Sequence, residues 1–212
     1  MIETKPHNAF WRSLHTQGHD SALLSPALGW NLTGMASFWH RSGPVAVNYT
    51  VEVDEAFVTR RGSVRGFVGR RRFYHSIERK PDGWKLDGKP QGLTGLADLD
   101  LGFTPATNVL QLQRLQLEVG ERAEFSVAWF DIGKQALVEL PQVYERIDTD
   151  RYAYQSPTTG YADELMIDPV TGFVRDYPSL WSMEAVDELP GELLDEGDLE
   201  DALSIFSTSS AA

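Results

Sequence analysis

Cysteine is absent from all 212 residues. That excludes disulfides, thiolate metal sites, a thiol nucleophile and any lipid attached through sulfur. Long apolar runs are missing too. No window approaches the roughly 18 consecutive apolar residues that a membrane-crossing helix needs. The N-terminus, Met1-Ile2-Glu3-Thr4-Lys5-Pro6-His7, has no apolar core of the kind found in export signals, so a cytoplasmic location is expected. Gly-x-Ser-x-Gly, Gly-x-Gly-x-x-Gly and P-loop strings do not occur, which removes the usual sequence grounds for a serine hydrolase or a nucleotide site.

Basic residues are outnumbered, with 19 Lys and Arg against 31 Asp and Glu for a net charge of −12. The imbalance is local. Asp187, Glu188, Glu192, Asp195, Glu196, Asp198, Glu200 and Asp201 stand without an intervening base, leaving −4 for the rest of the chain. Because phosphate neutralisation supplies most nucleic-acid affinity, nucleic acid is not an expected partner.

What is present is alternation. Val45, Val47, Tyr49, Val51 and Val53 alternate with Ala46, Asn48, Thr50 and Glu52, a period of two that marks a strand with one buried face. Gly34–Trp39, Val64–Val68, Phe73–Glu78, Phe125–Trp129, Val143–Thr149, Tyr152–Gln155, Leu165–Ile167 and Phe173–Val174 also read as strands. Ser42-Gly43-Pro44, Pro81-Asp82-Gly83, Asp87-Gly88 and Pro157-Thr158-Thr159-Gly160 supply turns between them. Short strands joined by tight turns, with no helices between, predict a mainly β fold in which an antiparallel sheet is rolled around a single short helix. That helix is expected from Ala106 to about Leu112, after Thr104-Pro105, residue types suited to an N-cap and a first helical position. Leu115, Leu117 and Val119 then resume alternation. Residues 1–27, with Pro6 and Pro26 as breakers, are expected to be an irregular or partly helical lead-in. The roll itself is expected over 28–186, followed by an acidic tail over 187–212. Within the tail, Leu199, Ala202, Leu203 and Phe206 have amphipathic spacing.

Certain strings carry a family resemblance. They include Asn48-Tyr49-Thr50-Val51-Glu52-Val53-Asp54, Asp82-Gly83-Trp84, and the run Leu93-Thr94-Gly95-Leu96-Ala97-Asp98-Leu99-Asp100-Leu101-Gly102-Phe103-Thr104-Pro105-Ala106-Thr107-Asn108-Val109-Leu110. Arg151-Tyr152, Gly172-Phe173-Val174 and Asp176-Tyr177-Pro178 follow in order. Over about Gly29 to Met183 the chain resembles the bacterial glycolipid-binding protein family. The resemblance implies a spiral β-roll around one helix, similar in general shape to bacterial carriers of lipoproteins, and a glycolipid or other amphiphile held in an apolar groove of the roll. The chain departs from the family pattern after Asn108, where Gln111, Gln113 and a single Arg114 replace the usual Pro and paired Arg.

Several constellations bear on chemistry. Asp98 and Asp100, two apart in a strand, place their carboxylates on one face about 6–7 Å apart, while Leu99, Leu101 and Phe103 face the core. Such a pair can accept sugar hydroxyls or act as acid and base on a sugar-like substrate. The structural reading, hydrogen bonds from backbone or from Arg114, weighs more. Arg60, Arg61, Arg65, Arg70, Arg71 and Arg72 form a basic run broken by glycines, most simply solvated faces and turns. His15 and His19, four apart beside Asp20, lack a third ligand, so no metal or other cofactor is expected. Trp30, Phe38, Trp39, Tyr49, Phe125, Trp129, Tyr152 and Tyr154 read mostly as core, with sugar stacking as a further use. The expected ligand contacts are Arg60, Asp98, Asp100, Asn108 and Arg114. Two alternatives stand beside binding: a hydrolase working through Asp98 and Asp100, and an interaction module whose acidic tail docks on a protein partner.

Overall fold

The computed structural model describes residues 2–186. Alternation builds strands from the start: in β1 (His7–Ser13) the buried residues are His7, Ala9, Trp11 and Ser13. β2 (Gly18–Ala27), β3 (Gly29–His40), β4 (Gly43–Val53), β5 (Thr59–Val68) and β6 (Arg71–Lys80) follow as long antiparallel hairpins. Two short strands, β7 (Gly83–Leu86) and β8 (Lys89–Pro90), end that wing. β9 (Leu99–Leu101) precedes α1 (Asn108–Leu115). The second wing is β10 (Arg122–Asp131), β11 (Ala136–Arg146), β12 (Arg151–Ser156), β13 (Tyr161–Ile167), β14 (Val174–Tyr177) and β15 (Trp181–Val186).

All fifteen strands belong to one open sheet, ordered β8-β7-β6-β5-β4-β3-β2-β1-β15-β14-β13-β12-β11-β10-β9. The expected mainly β, rolled architecture is therefore observed. One pairing is parallel, β9 with β10, because the chain crosses through α1 between them.

The lead-in is the main correction. Residues 7–27 are neither irregular nor helical but form the β1–β2 hairpin at the middle of the sheet, with β1 bridging to β15. Pro6 lies just before β1 and Pro26 at the end of β2, where neither removes an interior ladder bond. The expectations for 187–212, including the amphipathic spacing around Leu199, lie outside the described residues.

The roll buries side chains on both faces of its inner strands. All of β9 is buried, as are neighbours Val127 and Ala128 of β10 and Gln142, Val143 and Tyr144 of β11. On one side, Leu99, Leu101, Ala128 and Phe130 join Trp11, Leu24, Leu32, Val47, Val64, Ile77 and Trp84 in the larger core, which also receives Val109 and Leu110 of α1. On the other, Leu112 meets Tyr144, Tyr152, Tyr154, Leu165 and Val174. Gly62 permits this close layering, since a Cβ there would sit 2.6 Å from the Leu99 side chain.

The helix starts and ends later than expected. Thr107 occupies its N-cap position, and Gln116, left-handed at φ 47°, stops it. Thr104 instead caps the preceding turn, its Oγ1 accepting from the Ala106 N–H at 2.9 Å. Leu115 closes the helix, and Leu117 and Val119 fall in the following loop rather than a strand. Among the described residues no helix is long and apolar enough to cross a membrane.

Candidate ligand cleft

β9 and the start of α1 set the floor of a cleft. The register Asp100↔Trp129 places the two on neighbouring parallel strands. Gly102 lets the indole lie against the chain, because a Cβ there would come within 2.3 Å of the ring nitrogen. The turns joining β12 to β13 and β14 to β15 form the opposite wall. Together these elements enclose about 350 Å³, walled by Trp129, Tyr154, Tyr161, Tyr177 and Trp181, with Asp100, Thr104, Asn108, Ser156 and Thr159 offering polar atoms. The volume lies at the lower end of the range typical of small-molecule sites. Among the described residues no Lys or Arg lines it.

The tyrosines support one another. Tyr161 and Tyr177 rings meet edge-on at 5.2 Å, and Tyr154 lies 5.9 and 5.8 Å from them. Tyr161 is anchored at its far end by donating to the Pro178 carbonyl at 3.0 Å. Burial pushes the phenols of Tyr154, Tyr161 and Tyr177 above their ordinary range, so they stay neutral.

Among the described residues Asp100 is the only carboxylate lining the cleft. Its Oδ1 accepts from Thr107 Oγ1 at 2.9 Å and its Oδ2 from Gln142 Nε2 at 2.6 Å. Each oxygen retains a lone pair for a further donor. Burial raises its pKa, opposed by the hydroxyl and amide donors. Asn108 is committed differently, its Nδ2 donating to Tyr144 Oη at 2.6 Å while that phenol donates to Gln111 Oε1 at 3.0 Å. Ser156, buried in the wall, has a hydroxyl with no hydrogen-bond partner among the described residues. A buried orphan hydroxyl beside an open volume is a natural contact for a polar ligand.

The expected contacts separate into groups. Asp100 and Asn108 line the cleft. Asp98 and Arg114 form a bidentate pair at 2.7 Å, with the guanidinium 5.2 Å over the Phe125 ring, outside the cleft lining. Arg60 is elsewhere, donating to the Leu28 carbonyl at 2.9 Å on a different surface cleft shared with Arg61 and Arg79. The tyrosines of β13 and β14, Trp181 and Ser156 were not legible as site residues. His15 lies in the β1–β2 turn and His19 stacks on Phe10 at 5.0 Å.

Asp20 sits behind the cleft wall. It accepts hydrogen bonds from Tyr49 at 3.0 Å and from Thr104, and burial raises its pKa to about 7.

A second opening is apolar. Phe38, Val45, Val68, Phe73 and Ile132 surround about 350 Å³, with His40 and Arg71 at its edge. Strand directions put both openings on one rim of the roll, where the turns after β1, β3, β5, β10, β12 and β14 gather. Ile132, Gly133 and Gln135 at the tip of the β10–β11 hairpin line the apolar opening, and Trp129 and Leu140 of the same hairpin line the cleft. The helix offers the cleft its polar start, Asn108, rather than an apolar face: Ala106, Val109 and Leu110 are packed into the larger core.

A family model described as "Putative glycolipid-binding" matches residues 8–183. The chain belongs to this family. A solved structure, a DUF1089 family protein from Pseudomonas aeruginosa, superposes with a TM-score of 0.67 at 23% identity, covering 77% of this chain and 91% of its own. At that identity the likeness speaks for the fold alone. No curated protein matches the chain. The family match begins at Asn8, within β1, so the strands at the middle of the sheet are part of the family's unit.

Proposed function

We propose that this chain binds an amphiphile through an uncharged, hydroxyl-rich headgroup, such as the sugar of a glycolipid, seated in the cleft between Asp100 and Tyr161. The observation that carries the reading is the lining itself: among the described residues it has aromatic walls, one hydrogen-bonded carboxylate, an orphan serine hydroxyl, and no cation. Aromatic faces suit the C–H faces of a sugar ring, while Asp100 and Ser156 suit its hydroxyls. A phosphate or sulfate would meet Asp100 without a compensating base, so anionic headgroups are disfavoured. The hydrocarbon part would follow the β10–β11 hairpin, residues of which line both the cleft and the apolar opening at Phe38 and Phe73.

The hydrolase alternative has less to stand on. Asp98 is held by Arg114 outside the cleft, which leaves Asp100 without its partner carboxylate. The protein-partner alternative rests on the acidic tail, outside the described residues.

Calorimetric titration with a neutral alkyl glycoside and an alkyl phosphate of equal chain length tests the reading. The glycoside should bind, and Tyr161→Ala should weaken it about tenfold, the equivalent of losing one aromatic contact. Preference for the phosphate, or indifference to Tyr161→Ala, would count against it.

A further inference from the structure

The outer face of β3–β6, next to the rim, is unlike the rest of this acidic chain. Register places Met35, Asn48, Arg65 and Tyr74 in one cross-strand row and Ser37, Ala46, Phe67 and Arg72 in the next, nearer the turns. Trp39 lies beyond them on β3, and Arg41, Arg70 and Arg71 occupy or flank the two turns. Those turns are in contact, Gly69 N donating to the Pro44 carbonyl at 2.9 Å. Large apolar side chains stand in solvent here: Trp39 is 58% exposed, Tyr74 62%, Met35 50% and Phe67 38%. Residues 35–48 and 62–76 contain no Asp or Glu. Of the acids of this wing, Glu52, Glu78 and Asp82 pair with Arg61, Lys80 and Lys85 toward the opposite end of the strands, and Asp87, the nearest to the patch, is held by His75 and the Ser76 N–H. None of Arg41, Arg65, Arg70, Arg71 and Arg72 makes an ion pair among the described residues.

Arginine interleaved with exposed Trp, Tyr, Phe and Met is the composition that suits the boundary of an anionic bilayer. The guanidinium groups meet lipid phosphates and the aromatic rings take up the headgroup level. We infer that this face and its rim form a docking surface for an anionic membrane. Charge complementarity selects the partner, since the patch carries Arg41, Arg65, Arg70, Arg71 and Arg72 with no acid in residues 35–48 and 62–76, in a chain of net charge −12. The exposed apolar residues favour a bilayer over a nucleic acid, whose phosphates would use the arginines but leave Met35 and Phe67 in water. Docking by this rim would also turn both openings toward the lipid, although the inference does not depend on what the cleft holds.

Flotation of the full chain with phosphatidylcholine vesicles, with and without phosphatidylglycerol, provides the test. Binding is expected only with phosphatidylglycerol and should fall as salt rises. Arg70→Glu/Arg72→Glu should lower the partition coefficient at least tenfold. The milder Arg70→Gln/Arg72→Gln pair, which keeps the side-chain bulk, should lower it severalfold and guards against misfolding of the first. Trp39→Ala should also weaken binding, which charge attraction alone would not give. Failure of the wild type to float with anionic vesicles, equal flotation of the variants, or tighter binding to a single-stranded oligonucleotide that ignores Trp39→Ala would overturn the inference.

Discussion

The guanidinium of Arg114, in the last turn of α1, holds the Asp98 carboxylate through two hydrogen bonds of 2.7 Å each. The pair ties the end of the helix to the start of β9, so it fixes the floor on which Asp100 and Asn108 stand. Burial raises the pKa of Asp98 and Arg114 opposes that rise. Removing the base alone leaves a buried charge unpaired.

Arg114→Met should therefore destabilise the fold by about 3 kcal/mol in urea unfolding at neutral pH. The deficit should shrink on acidification, because the stranded Asp98 escapes its penalty by taking up a proton. Asp98→Leu/Arg114→Met should recover most of the loss. A single variant as stable as wild type would mean that the pair contributes nothing to holding the helix.

Asp20 makes a second prediction, with the opposite partner chemistry. It has hydroxyl donors from Tyr49 and Thr104 and a pKa raised from 3.8 to about 7. A raised carboxyl pKa means that the folded state keeps a proton the unfolded state has lost. Its unfavourable contribution thus grows as pH rises from about 4 and levels off above about 7. Asp20→Asn should match wild type near pH 4 and exceed its stability by a few kcal/mol, on the order of 2–4, near pH 8. Urea unfolding across that range checks this; stability curves that stay parallel would contradict it.

Gly102 and Trp129 give a steric prediction. A Cβ at position 102 would fall 2.3 Å from the indole, which has to move. Gly102→Ala should cost about 1–3 kcal/mol and displace a cleft wall. Both effects should appear together, as a lower thermal midpoint and a weakened response to an alkyl glycoside.

Much of the fold was legible because one-sided burial leaves a local trace. The Val45–Val53 alternation is the inward face of β4, where Val45, Val47, Tyr49, Val51 and Val53 are all buried. The trace fails where polar residues take inward positions. His7, Ser13 and Asp20 are buried in β1 and β2, so hydropathy there looks aperiodic although the strands are regular. It fails again where both faces are covered. In β10 Val127 is buried on one side and Ala128 and Phe130 on the other, so no single alternating set records its burial.

The cleft was half legible for a related reason. Asp100 and Asn108 lie in one short stretch, whereas Tyr161, Tyr177 and Trp181 reach them only because the sheet curls from β9 through β10 to β15. Nothing local records that curvature. The Asp98–Arg114 pairing was legible as a structural bond, but the separation of Arg60 from it was not, because Arg60 turns to the Leu28 carbonyl.

A crystal structure with a neutral alkyl glycoside at saturating concentration tests the central claim most directly. The account predicts a sugar ring between Tyr161 and Trp181, with hydroxyls on Asp100 and Ser156 and the alkyl chain leaving over the β10–β11 tip. A glycoside bound elsewhere, with the cleft empty, would contradict it.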